Sequence, residues 1–203
     1  MITQAKQHLA QDPKLNTLIQ TVNLDYHWKP DEQGDVYFHL LKSIISQQVS
    51  VKAAEAMQAK FLTLFDDQYP DAEKLLQFNA EELRAVSLSR QKAKYVQNVA
   101  QFFIEYQLFD KDWRQDSDEA ILTNLTQIKG IGEWTVQMIL MFCLNRGDVL
   151  PVKDLAIQHT MAKLYELKEE KKALMKKMEE IGEAWRPYRT LACYYLWSWK
   201  HTW

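Results

Sequence analysis

Apolar side chains recur at spacings of three and four along most of the chain. Leu40, Leu41, Ile44, Ile45 and Val49 form one series, which continues through Ala53, Ala54, Met57 and Phe61. Tyr95, Val99, Phe102, Phe103 and Tyr106 form another, Leu122 and Leu125 belong to a third, and Leu191, Tyr194, Tyr195 and Ser198 close the chain. This period places the apolar residues on one face of an α-helix. No segment alternates β-branched with polar residues, and no Asn-Gly or Asp-Gly hairpin signal occurs. The pattern predicts an all-α fold of roughly nine to eleven helices joined by short loops.

Prolines mark the expected boundaries. The residue before proline is pushed out of helical geometry, so Asp12-Pro13, Lys29-Pro30, Tyr69-Pro70, Leu150-Pro151 and Arg186-Pro187 each predict a break. The N-terminal MITQAKQHLAQDPKL has no apolar signal core and reads as a short amphipathic helix. Residues 165–180, YELKEEKKALMKKMEE, balance their charges and read as one solvated helix with Leu167, Leu174 and Met178 turned inward.

Composition narrows the class without choosing a function. The 203 residues, 47% hydrophobic and 26% charged, suit a folded globular protein of one domain or two small lobes. The longest unbroken apolar run is MILMFCL, residues 138–144, far below the roughly 20 residues of a membrane span. Cys143 and Cys193 both sit in apolar segments, which suits buried reduced thiols in a cytoplasmic protein. A formal net charge of −2 means that an anionic partner has to be held by local features.

One such feature is "IKGIGEWTVQMIL", residues 128–140. Glycine is scarce here, with Gly34, Gly130, Gly132, Gly147 and Gly182 making up the whole set, yet two of them lie two apart. The segment reads as a helix from Glu119 to Thr126, a turn from Gln127 to Gly132, and a helix from Glu133 to Leu144. Unpaired N–H groups at the start of the second helix, with its dipole, form an anion site that needs no net positive charge. For a bare G-x-G, a plain helix-helix corner with a glycine C-cap is the better explanation.

In context the segment carries more. The runs "LTQIKGIGEWTVQMIL" and "DVLPVKDLAI", with "LLKSIISQQVSVKAA" (40–54) upstream and "WRPYRTLACYYLW" (185–197) downstream, resemble the helix-hairpin-helix base-excision DNA glycosylases. The likeness is to the alkylbase branch, the 3-methyladenine DNA glycosylase II group, and spans about residues 37–199. The resemblance implies two helical lobes with an active-site cleft between them. Residues 37–149 would carry the hairpin (about 119–144), and residues 1–36 with 150–203 would make the second lobe. It implies hydrolytic removal of alkylated purines from double-stranded DNA by a monomer, with no cofactor required.

The resemblance also assigns residues. Asp154, which follows Gly132 by 22 positions, matches the family's essential carboxylate. Taken alone, an aspartate before a helix is most often an N-cap, worth about 1 kcal/mol. Asp148 is its nearest rival and reads as a loop-ordering residue. Position 134, where strand-nicking relatives carry a lysine that forms a Schiff base, is Trp134, so the implied enzyme is monofunctional and leaves an abasic site. Neither Lys129 nor Lys153 matches that nucleophile. Lys129 replaces a proline common in the family and adds a candidate phosphate contact beside Gly130 and Gly132.

Trp134 and Trp197 match positions facing the base pocket, with Met138 one turn along, and Tyr26, His27 and Trp28 are candidates to close it. Most of the other aromatic residues, 12% of the chain in total, read as core. Gln48 matches the wedge that fills the gap left by an extruded base, with Gln47 in support; an amide pair capping two helices fits as well. The hairpin carbonyls of Thr126, Ile128 and Ile131 would hold a structural Na⁺ or K⁺. Two other functions stay open: a non-catalytic DNA-binding module that keeps the hairpin, and a glycosylase/lyase of the iron-sulfur branch. Trp134 and the absence of a four-cysteine cluster count against the latter.

Overall fold

The computed structural model describes residues 2–24 and 34–200. Among them the chain forms twelve α-helices, with two 3₁₀ turns and one π-turn and no strand, in line with the all-α expectation. The helices are α1 (Ile2–Leu9), α2 (Pro13–Thr21), α3 (Val36–Ser46), α4 (Val51–Leu62), α5 (Ala72–Gln77) and α6 (Ala80–Ala85). They continue as α7 (Arg90–Glu105), α8 (Asp118–Leu125), α9 (Glu133–Met138), α10 (Leu155–Tyr165), α11 (Lys171–Gly182) and α12 (Arg189–Lys200). No helix among the described residues is long and apolar enough to cross a membrane.

The chain divides into two compact units, Asp31–Ile139 and Met1–Pro30 with Leu140–Trp203. In the first, α7 is the central helix and packs against α3, α5 and α6, while α8 packs on α9. The predicted periodic residues supply its core: Leu40, Leu41, Ile44, Ile45, Val99 and Phe103 are all buried, joined by Val96, Ile121 and Leu125. Side-chain caps start most of these helices, from Asp35, Ser50, Asp71, Asn79, Ser89 and Ser117, each accepting a backbone N–H that the helix itself leaves unpaired.

In the second unit α12 packs against α10 and α2, and α11 packs against α10. Asp12 ties its parts together. It caps α2 through the N–H groups of Lys14 and Leu15 and accepts the Tyr165 hydroxyl (2.6 Å) and the Trp185 indole N–H (3.0 Å). Burial alone would raise the Asp12 pKa, but these donors outweigh it and hold the carboxyl below its ordinary value. Trp185 and Tyr195 are core, as most of the aromatic residues were expected to be.

Two expected helices differ in extent. The stretch from Glu133 to Leu144 is α-helical only to Met138, and Ile139–Cys143 form a π-turn. Ile139, Leu140, Met141 and Cys143 are all buried, so the run has no 3.6-residue stripe and packing sets the winding. Residues 165–180 are not one helix. Glu166 is left-handed (φ 58°), and the Leu167 N–H returns to the Ala162 carbonyl at 2.9 Å. This is the hydrogen bond of a Schellman closure with an apolar residue after the reversal, a stop signal that glycine usually marks. Helix α11 then starts at Lys171 and buries Met178.

Candidate active site

The hairpin turn lies in the Asp31–Ile139 unit. Helix α8 ends at Leu125 and is followed by the cap residue Thr126, whose hydroxyl donates to the Leu122 carbonyl at 2.7 Å. Ile128 and Ile131 are buried and anchor the turn, and the Ile131 N–H donates to the Ile128 carbonyl at 3.0 Å. The two glycines serve different needs. Gly130 has φ 111°, and a Cβ there would run into the Tyr95 ring, 2.6 Å from its Cδ2. Gly132 is extended (φ −102°, ψ 169°), which suits any residue, and a Cβ there would meet nothing within 4 Å. The first glycine is required by the protein itself. The second leaves open room on the surface.

Among the described residues, the N–H groups of Lys129, Gly130 and Gly132 donate to no protein acceptor. Exposed backbone donors gathered in one turn make an anion-binding concavity independent of side-chain charge. Lys129 is exposed beside them.

The amide pair lies in the link between α3 and α4. Gln47 closes α3 by donating its N–H to the Ile44 carbonyl, and its side-chain amide donates to the Gly130 carbonyl at 3.5 Å. Gln48 is left-handed (φ 58°) and exposed, followed by Val49, which is 39% exposed. Ser50 then caps α4. The Ile45 carbonyl near the end of α3 is held from α7, where the Lys92 ammonium donates to it at 2.7 Å. Burial lowers the Lys92 pKa from its ordinary value. Trp134, second residue of α9, is 39% exposed, and Met138 one turn later is half-buried.

Asp154 and Trp197 belong to the other unit. Asp154 does cap α10, its Oδ1 accepting the Ile157 N–H at 2.9 Å, and the same oxygen accepts the Trp197 indole N–H at 3.1 Å. Trp197 therefore orients the carboxylate, while its ring stacks on Phe142 with centroids 5.8 Å apart. The loop before Asp154 is clamped by the start of α12. Arg189 donates to both Asp148 carboxylate oxygens (2.7 and 3.1 Å) and to the Asp148 carbonyl (2.7 Å), and Arg186 adds a bond of 2.6 Å. Thr190 accepts the Val149 N–H and donates to the Arg146 carbonyl. The Gln158 amide holds the Val152 carbonyl at 2.7 Å. Asp148 is thus tied into ion pairs that order the loop, whereas Asp154 is half-buried at its end.

The family description "HhH-GPD superfamily base excision DNA repair protein" fits residues 41–187, a span that holds the turn, the amide pair and Asp154. The chain belongs to this base-excision DNA-repair family. Within the family it is 34% identical over 204 residues to DNA-3-methyladenine glycosylase 1 of Schizosaccharomyces pombe, covering 97% of this chain and 87% of that protein. It is 29% identical to the DNA-3-methyladenine glycosylase of Saccharomyces cerevisiae, over 93% of this chain and 76% of that one. The solved S. pombe enzyme in complex with abasic DNA superposes with a TM-score of 0.81 at 30% identity, covering 96% of this chain and 95% of that chain. A DNA-3-methyladenine glycosidase from Bacillus halodurans superposes at 0.79 with 34% identity, over 97% of this chain and 88% of that one.

Several residues of the site carried no signal in the sequence. Arg186, Arg189, Thr190 and Gln158 hold the Asp154 loop, and nothing near them in sequence marks that partner. Asn98, whose amide donates to the Lys129 carbonyl at 2.9 Å, is equally unmarked. Tyr26, His27 and Trp28 lie outside the described residues.

Proposed function

We propose that the protein is a monofunctional DNA glycosylase that hydrolyses the N-glycosidic bond of alkylated purines, such as 3-methyladenine and 7-methylguanine, in double-stranded DNA. The observation that carries this is Asp154, an ionisable group held at the end of a loop clamped from α12, in a chain related to 3-methyladenine glycosylases over nearly its whole length. As the C1′–N bond breaks, its electron pair leaves with the base and positive charge builds on the sugar. A fixed carboxylate stabilises that charge and orients or deprotonates the water that adds to C1′. The products are the free base and an abasic sugar.

The other residues fit this chemistry. Trp134 offers an indole where a lyase would need a lysine, so no covalent intermediate with the strand is available at that position. A cationic alkylpurine stacks well on indole and leaves readily without protonation, which suits a single carboxylate. The N–H groups of the hairpin turn, with Lys129, would hold a phosphate, and Gln48 at its exposed left-handed corner would fill the vacated stack. The carbonyls of Thr126, Ile128 and Ile131 supply neutral oxygens from one turn, suited to Na⁺ or K⁺. Ile128 keeps a lone pair beyond the one that accepts from Ile131. Cys143 and Cys193, buried thiols that form no disulfide, are in keeping with a cytoplasmic protein.

Excision rates across a lesion panel test the substrate class. Cationic 3-methyladenine and 7-methylguanine should be released at least about tenfold faster than neutral ethenoadenine or hypoxanthine, the factor that about 1.4 kcal/mol of cation–π preference gives. Equal rates on all four, or preference for the neutral pair, would reject indole recognition of charge.

A further inference from the structure

The hairpin turn is held from outside the motif. Its Lys129 carbonyl accepts the Asn98 amide at 2.9 Å, and its Gly130 carbonyl accepts the Gln47 amide at 3.5 Å. The ring of Tyr95 occupies the space beside Gly130 that a side chain would otherwise fill. Tyr95 is itself fixed, its hydroxyl accepting from the Gln91 amide at 2.6 Å. Tyr95 and Asn98 are three residues apart on α7, so they present one stripe of that helix to the turn.

Peptide planarity gives these contacts a consequence. In a trans peptide the C=O and the N–H of the next residue point in opposite directions. Holding the Lys129 carbonyl toward Asn98 therefore turns the Gly130 N–H away from α7, and that N–H is one of the turn's unpartnered donors. Gly130 has φ 111°, in a region where glycine is otherwise free to move, so without a brace this peptide would sample other orientations. Asn98, Tyr95 and Gln47 are neutral. Their effect is on direction and order and leaves the charge of the site unaltered.

We propose that Asn98 and Tyr95, with Gln47, are positioning residues for DNA binding: they fix the Lys129–Gly130 peptide so that its N–H faces outward before DNA arrives. Gln47 also ties the corner bearing Gln48 to the same turn, so the wedge and the phosphate grip keep a set spacing. The inference rests on the reading of the turn as a DNA contact. A pre-oriented donor needs no ordering on binding, and that saving appears in affinity.

The test is binding to a duplex carrying a stable abasic-site analogue, together with single-turnover excision at saturating methylated DNA and thermal melting. Asn98→Ala should raise Kd about 2- to 12-fold, the range for one net hydrogen bond, with excision at saturation within about twofold of the parent. Asn98→Asp, which keeps size but cannot donate, should bind at least as weakly. Tyr95→Ala should lose affinity, and Tyr95→Phe, which keeps the ring, should restore it. Parental affinity in both Asn98 variants, or slower excision at unchanged Kd, overturns the inference. Lys129→Ala and Gly132→Thr serve as reference variants in the turn itself. If they weaken binding while the Asn98 variants do not, the bracing alone is wrong; if they too bind like the parent, the turn is not a DNA contact and the inference falls with it.

Discussion

Asp154→Asn should fold, bind DNA and excise alkylated bases about a hundred- to ten-thousand-fold more slowly than the parent, the usual range for removing a catalytic carboxylate. The separation of effects follows from the two roles of this side chain. As an N-cap it needs only an oxygen that accepts the Ile157 N–H, and asparagine supplies one. The same amide oxygen still accepts from the Trp197 indole. Melting should therefore shift by no more than about 1 kcal/mol of stability. What asparagine lacks is the negative charge that, in the proposed mechanism, stabilises the developing cation. If Asp154 were only a cap, excision would survive the change.

Substituting the two hairpin glycines should weaken DNA binding alike but move stability in opposite directions. Gly130→Ala puts a methyl into the Tyr95 ring on a backbone at φ 111°, so strain and overpacking together should lower stability by about 2–4 kcal/mol and DNA affinity at least tenfold. Gly132→Thr places a good N-cap residue at an ordinary extended backbone with empty space around it, so the fold should be as stable as the parent or more so. Its affinity for DNA should nonetheless fall about tenfold, because the added side chain would stand where the proposed phosphate grip meets the sugar-phosphate strand. Melting curves with binding titrations distinguish these outcomes. Parental affinity in Gly132→Thr would mean that nothing docks on that surface.

Much of this was legible in the chain because it depends on local rules. Periodic apolar spacing located α3, α4 and α7, since burying one face of a helix leaves a 3.6-residue record in sequence. Gly130, the amide pair and Asp154 were legible because a turn with positive φ, a loop corner and a cap each demand particular residue types. The hidden parts depend on distant partners. Nothing local distinguishes Arg189, which clamps Asp148 from 41 positions away, from any arginine at a helix start. Asn98 reaches the turn across 31 residues and looks like helix surface. The π-turn at Ile139–Cys143 and the left-handed stop at Glu166 were missed because packing overrode the local preference for a continuous helix.

The most direct measurement is product analysis of the parental protein on methylated duplex DNA, with free base quantified by mass spectrometry and the strand run on a denaturing gel before and after hot alkali. Hydrolysis by an enzyme without a lysine at position 134 predicts free methylated base in equal amount to abasic sites, with strand breaks appearing only after alkali. Release of no base would leave a DNA-binding module, and breaks without alkali would mean lyase chemistry; either contradicts a monofunctional glycosylase.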